Sequence, residues 1–238
     1  MLAAAVARTV VSPFVPSRKM LPFMCWLSIA SGDFDAERLH LDKLCTSAKA
    51  AIDVGANSGW YTYPLSKIFR RVYAFEINED LTGWIKQYNP GNIELIHCGL
   101  SSTAGTARFY VPVTHGQAMT GWGSLHRDNL PGADAYLEKE IRIAPLDDFG
   151  IADVGFIKID VEGHEVEVLM GAAKTIAQSR PVVLVEVRPA HERTIDAWFR
   201  ALDYRNCTLE ELVRVHRSTE GNRIYVPLEQ LAHFGIIS

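Results

Sequence analysis

Acidic residues follow three separate apolar runs. Asp53 begins "DVGANSG", where Gly55, Asn57 and Gly59 alternate with other residues; Glu76 ends "RVYAFE"; Asp160, Glu162 and His164 fall at every second position of "KIDVEGHE". A glycine turn between a strand and a helix lets a ligand lie against bare backbone near a helix N-terminus. A carboxylate at the tip of the next strand can accept hydrogen bonds from both hydroxyls of a ribose. Together these features point to a ligand containing adenosine. The turn reads GxNxG, not the GxGxxG of a dinucleotide site, and Asp53 is badly placed for a phosphate. A ligand with an ammonium, a sulfonium and no phosphate, S-adenosylmethionine, suits that acidic turn.

Transfer of a methyl group from such a donor is an in-line displacement on an already activated carbon. The protein must supply proximity and, for a hydroxyl acceptor, a base or metal that removes the proton. Asp160, Glu162, His164 and Glu186 are the catalytic candidates, with Asp160 placing the acceptor and His164 or Glu162 taking the proton. Glu162 and His164 also read as ordinary first-turn residues of a helix, where a carboxylate suits the dipole. Lys158 reads as the partner of a carboxylate. No metal ligands are assigned: His115 and His126 have no spaced carboxylate partner, and a divalent cation on Asp160 and Glu186 is compatible with the residue types but not required.

Positioning these groups calls for alternating strands and helices. Strands are predicted at 50–54, 72–75, 93–98, 156–159 and 182–187, with helices at 59–69, 79–88, 164–178 and 190–202, the last with Ile195, Trp198, Phe199 and Leu202 at helical spacing. This rhythm predicts an α/β, Rossmann-like, doubly wound, mostly parallel sheet. "YRNCTL" and "NRIYVPL" are expected to close it as a C-terminal antiparallel pair. Residues 106–113 and 140–148 read as edge segments flanking a long loop, which contains Trp122, Ser124, His126 and Arg127 and would suit a lid.

With 238 residues, 48% hydrophobic, the chain can form one sizeable domain, expected at 48–238 behind an N-terminal extension at 1–47 that packs on it. Its net charge of −4, without like-charge blocks, argues against a nucleic-acid partner. Cys25, Cys45, Cys98 and Cys207 are scattered, as expected of reduced thiols in a cytoplasmic protein. The apolar runs before residue 32 are interrupted by Arg8, Pro13, Pro16 and Arg18, so no transmembrane segment is expected, although a peripheral membrane contact there is compatible with the pattern.

"IDVGANSGWYT", "VYAFEIN", "FIKIDVEGHEVEVLMGA" and "PVVLVEV", in that order and spacing, resemble the FkbM family of S-adenosylmethionine-dependent methyltransferases. The resemblance spans about residues 50–187, and "RIYVPL" is similar to the family's closing strand. It implies that Asp53, Gly55, Asn57 and Gly59 surround the methionine part of the cofactor, that Glu76 holds its ribose and that Cys98 and Gly99 lie beside the adenine. Asp160 would face the methyl group and the acceptor, and Ser124 and Leu125 match a Ser-Leu pair of the family. The implied activity is O-methylation of a hydroxyl on a sugar, glycolipid or other secondary metabolite, so that the partner is a small-molecule or glycan-type acceptor. The alternatives are a non-catalytic S-adenosylmethionine-binding partner protein and a nucleotide-dependent oxidoreductase. On this reading Gly55→Val abolishes cofactor binding and leaves the fold intact.

Overall fold

The computed structural model describes residues 15–45, 49–130, 132–214 and 219–236. In chain order the strands are β1 (Ala50–Val54), β2 (Arg71–Phe75), β3 (Ile93–Ile96), β4 (Gly99–Leu100), β5 (Gly105–Thr114), β6 (Gln117–Ala118), β7 (Ala135–Ala144), β8 (Val154–Ile159), β9 (Val182–Glu186), β10 (Tyr204–Cys207) and β11 (Asn222–Pro227). The helices are α1 (Ser17–Ser31), α2 (Leu41–Leu44), α3 (Thr62–Ile68), α4 (Gly83–Tyr88), α5 (Glu165–Gly171), α6 (Ala173–Ser179), α7 (Glu192–Arg200) and α8 (Leu209–Val213).

Seven strands form the central sheet in the order β10-β11-β9-β8-β1-β2-β3. β1, β2, β3, β8 and β9 are parallel, while β11 runs antiparallel to both β9 and β10. The chain therefore winds outward from β1 to β3 and then restarts at β8 on the other side of β1. In such sheets ligands bind outside the carboxyl ends of the strands, at the point of reversal. Here that point lies between Gly55, just after β1, and Asp160, just after β8.

Alternation along the buried strands divides the core. Ala51, Val72, Phe156 and Leu184 face one cluster, which also takes Leu21 of α1, Leu41 and Leu44 of α2 and Leu65 of α3. Ile52, Val54, Ile157 and Val185 face the other, covered by Val168 and Leu169 of α5, Ile176 of α6 and Ile195 and Phe199 of α7. Asp53 pairs in register with Lys158, so both stand on the first face, toward the N-terminal segment.

Several expected elements are cut shorter, each for a local reason. The helix expected at 164–178 breaks into α5 and α6 at Ala172, whose φ −108° and ψ 5° leave the helical region, beside Gly171, where a Cβ would stand 2.0 Å from the Ser101 carbonyl oxygen and only the bare residue lets that loop approach. The strand expected at 93–98 ends at Ile96, and Gly99 and Leu100 cross over to pair with β7. The segments expected as edges, 106–113 and 140–148, fall largely in β5 and β7 of a second sheet, β4-β7-β5-β6, to which the stretch expected as loop adds β6 and the first half of β7. Its long β5–β7 hairpin pairs from Gly105 opposite Ile143 to Val113 opposite Ala135. The residues at its tip are also tied down, since Tyr110 and Ser124 exchange backbone hydrogen bonds of 2.9 and 3.0 Å.

Residues of the N-terminal segment reach far along the chain. The Glu37 carboxylate is fully buried and accepts hydrogen bonds from the Thr219 backbone N–H at 3.0 Å and from Asn222 Nδ2 at 3.1 Å. Asn222 Oδ1 in turn accepts from Lys158 Nζ at 3.2 Å. No helix among the described residues is long and apolar enough to cross a membrane.

Candidate active site

The turn after β1 is shaped first by the protein's own packing. Gly55 has φ +80°, and a Cβ there would stand 1.8 Å from the backbone oxygen of Asp160. Its bareness is what allows β1 and β8 to end side by side. The expectation that Gly55→Val spares the fold is therefore corrected: a side chain would collide with backbone before any ligand is considered. Gly59, at φ +97°, would put its Cβ 2.8 Å from Ile85 and 2.9 Å from Leu21 side-chain atoms. Gly59 thus faces the α1–α4 packing and borders none of the three cavities described below.

Asp53 also has a partner within the chain. It is 1% exposed and accepts a 2.5 Å hydrogen bond from Thr62 Oγ1. Burial pushes its pKa up to about 6, against the opposing pull of the Thr62 hydroxyl and the Lys158 ammonium. Its acidity is thus accounted for by fixing α3 to the β1 turn and facing Lys158, without a cationic ligand.

Glu76 is oriented by backbone. Its two carboxylate oxygens accept from the N–H groups of Asn57 and Asn78, both at 2.7 Å. Burial raises its pKa, and those two amides oppose the rise. Each oxygen keeps acceptor capacity for a further donor. The cavity beside it also takes Gly55, Asn57, Cys98 and Gly99 on one wall and Asp160, Glu162 and His164 on the other. Eight of the predicted site residues therefore meet in one place. A second cavity, shared at Gly55, Asn57 and Asp160, extends under Asp53, Lys158 and the N-terminal Arg38.

Residues 120–125 roof the first cavity. Asn57 Nδ2 donates to the Gly121 carbonyl at 3.4 Å and Asn78 Nδ2 to that of Thr120 at 3.1 Å. Ser124 Oγ and Asn129 Nδ2 both donate to the Glu162 carbonyl, at 2.8 and 3.0 Å. The Ser-Leu pair thus reaches the turn after β8. Glu162 has φ +54° and Gly163 φ +99°, backbone that a non-glycine residue such as Glu162 adopts at a cost. The reversal points the Glu162 carboxylate toward Arg188, whose Nη2 donates to it at 2.9 Å. Burial first, and then the neighbouring Asp160 carboxylate, raise the Glu162 pKa, and Arg188 offsets part of this. Glu162 also borders a third, outer cavity with Trp122, His115, Gln117 and Arg188.

His164 has both ring nitrogens engaged. Nε2 lies 3.0 Å from Ser101 Oγ and Nδ1 lies 2.9 Å from His126 Nε2. Burial lowers its pKa, which favours the neutral ring. His126 therefore pairs with His164, and His115 stands apart on the outer cavity. Glu186, at the end of β9, borders none of the three cavities. Desolvation on its inner side and the Asp160 carboxylate raise its pKa, while the exposure of its side chain limits the size of that shift. Ser101, Asn78 and Arg188 escaped the sequence reading because each comes from a turn whose partner is remote in sequence. Arg188, two residues past a predicted strand-end carboxylate, offered the clearest signal.

A sheet that reverses at β1 and β8, closes with an antiparallel β11 and carries a glycine turn beside an acidic strand tip is the fold of a class I methyltransferase. The methyltransferase FkbM domain matches residues 53–206. The chain belongs to the FkbM methyltransferase family. It is similar to the hexuronic acid methyltransferase AglP of Haloferax volcanii, 27% identical over 162 residues, which cover 66% of this chain and 62% of that relative. It thus spans less than two thirds of the relative's length. The crystal structure of methyltransferase FkbM from Methylobacillus flagellatus is similar in fold, with a TM-score of 0.52 at 18% identity over 75% of this chain and 43% of that one.

Proposed function

We propose that the chain is an S-adenosylmethionine-dependent O-methyltransferase whose acceptor is a sugar-type hydroxyl. The observation that carries this reading is the place of Glu162, which borders both the inner cavity beside Glu76 and the outer cavity beside Trp122 and Arg188.

The donor set fits the cofactor. Glu76, fixed by two backbone amides, would accept from the ribose hydroxyls, with Cys98 and Gly99 flanking the base. Arg38 borders the second cavity, so its guanidinium suits the carboxylate of an amino-acid tail. When bound, S-adenosylmethionine supplies a methyl group on a positively charged sulfur.

The chain's own task is to deliver a hydroxyl and take its proton. Asp160, on the wall common to the first two cavities, would place the acceptor. Glu162 is the better base: a raised carboxylate pKa brings it closer to neutral pH, whereas His164 has no free ring nitrogen. An exposed indole with Gln117, His115 and Arg188 around it suits a polar ring with hydroxyls and an acidic substituent. The hexuronic acid in the name of the archaeal relative supports that class. The four cysteines are free thiols, which suits a cytoplasmic site of action.

Calorimetric titration with S-adenosylhomocysteine and, separately, with NAD tests the cofactor; transfer of labelled methyl groups to uronic-acid oligosaccharides, with the product mapped by NMR, tests the acceptor. Binding of the first ligand and an O-methyl product are expected. NAD binding in its place, or S-adenosylhomocysteine binding without transfer to any sugar, would overturn the reading.

A further inference from the structure

His126 directly follows Leu125, the last residue of the roof over the first cavity, while His164 and Glu167 come from the start of α5. His164 and Glu167 are three residues apart, the i, i+3 spacing that places a histidine and a carboxylate on one helix face and is used in His/Glu metal sites. Their ligand atoms and His126 Nε2 all lie within 4.8 Å of one another.

We propose that His126, His164 and Glu167 bind a divalent transition-metal ion of the zinc type, which fastens the roof of the first cavity to the start of α5. Two imidazoles and a carboxylate are an established zinc set that leaves a fourth position for water. With metal–ligand bonds of about 2.0–2.1 Å, tetrahedral ligand atoms lie roughly 3.3–3.4 Å apart. The observed separations are 2.9 Å for His126 Nε2 to His164 Nδ1 and 3.6 Å for His164 Nδ1 to Glu167 Oε2. Separating the two rings by about half an ångström would reach that spacing.

The surroundings supply the orientation such a site needs. Ser101 Oγ, 3.0 Å from His164 Nε2, can accept that N–H and leave the lone pair of Nδ1 toward His126 and Glu167, as partners of ligating histidines commonly do. The Ser124 and Asn129 bonds to the Glu162 carbonyl hold the roof on either side of His126. The inference does not depend on the acceptor, or on methyl transfer at all.

The test uses tag-free, chelator-treated full chain without cofactor. Zinc chloride is titrated by calorimetry, and cobalt chloride is followed by the absorption of four-coordinate cobalt. One ion per chain is expected. His126→Ala should weaken zinc binding about a hundredfold and Glu167→Gln about tenfold, with Ser101→Ala also losing about tenfold through His164. His126 is exposed, so its variant is expected to fold, which circular dichroism checks. Absence of one-to-one binding would mean that the two histidines are only a hydrogen-bonded pair, and undiminished binding in folded His126→Ala would put the ion elsewhere; either overturns the proposal. Zinc binding and catalysis are read separately, so failure of one is distinguishable from failure of the other.

Discussion

Gly59→Ala separates the two possible reasons for a glycine in the β1 turn. The new Cβ would stand 2.8 Å from Ile85 Cγ1 and 2.9 Å from Leu21 Cδ2, on a backbone with φ +97°. Positive φ costs an L-residue about 1–2 kcal/mol, and forcing a methyl group into packed side chains costs about 1–3 kcal/mol. The expected loss is therefore about 2–5 kcal/mol, within the roughly 5–15 kcal/mol of a typical domain, so the variant should still fold. Because Gly59 borders none of the three cavities, the folded variant should bind S-adenosylhomocysteine within about twofold of the parent, a change of only ~0.4 kcal/mol. Urea unfolding measures the first quantity and calorimetry the second. An unchanged unfolding midpoint combined with lost ligand affinity would refute the reasoning, because Gly59 would then serve the ligand and not the α1–α4 contact.

Glu76→Ala should weaken S-adenosylmethionine and S-adenosylhomocysteine alike, by about a hundredfold, since hydrogen bonds to a charged acceptor contribute about 1.5–3 kcal/mol each; calorimetry showing an effect on only one of them contradicts the ribose role. Glu162→Gln should lower kcat by about 10²–10³, within the range for loss of a general base, with cofactor affinity unchanged, and a parental kcat would remove Glu162 from the chemistry. Asp53 gives a pH signature. Its folded pKa, raised to about 6, lies above the roughly 3.9 of an unfolded Asp. Its contribution to stability is therefore full below about pH 4 and lost as the pH rises through about 6. Asp53→Asn keeps an acceptor for Thr62 Oγ1 and should flatten that part of the stability curve; urea titrations between about pH 4 and 7 check the slope.

The parallel strands and their order of use were legible because each is a short Val- and Ile-rich run followed by its turn. Glu76, Cys98, Gly99, Asp160, Glu162 and His164 were legible as neighbours for the same reason: residues just past parallel strands gather at one sheet edge. Of the β5–β7 sheet only β5 and the end of β7 were legible, as edge segments, since the first half of β7 is mostly exposed and its polar pattern reads as loop. The packing role of the glycines was not legible. From sequence, a bare residue beside a strand end means close approach, but not of what. Gly55 admits the Asp160 carbonyl and Gly59 admits two side chains. The His126–His164 contact spans 38 residues, and no local pattern brings the two rings together.

The buried chain of hydrogen bonds from Glu37 through Asn222 to Lys158 also bears on the order of assembly. Glu37 is separated from its partners Thr219 and Asn222 by 182 and 185 residues. Contacts so distant in sequence are slow to close. A nascent chain that has not yet extended past residue 222 can pair β1, β2, β3, β8 and β9 and still hold Glu37 and Lys158 without Asn222. The second cavity, which counts Lys158, Arg38 and Thr219 among its walls, is thus expected to take shape late, after most of the central sheet. During synthesis the chain would pass through a stage in which the strands are formed and the tail of the ligand has nowhere to bind.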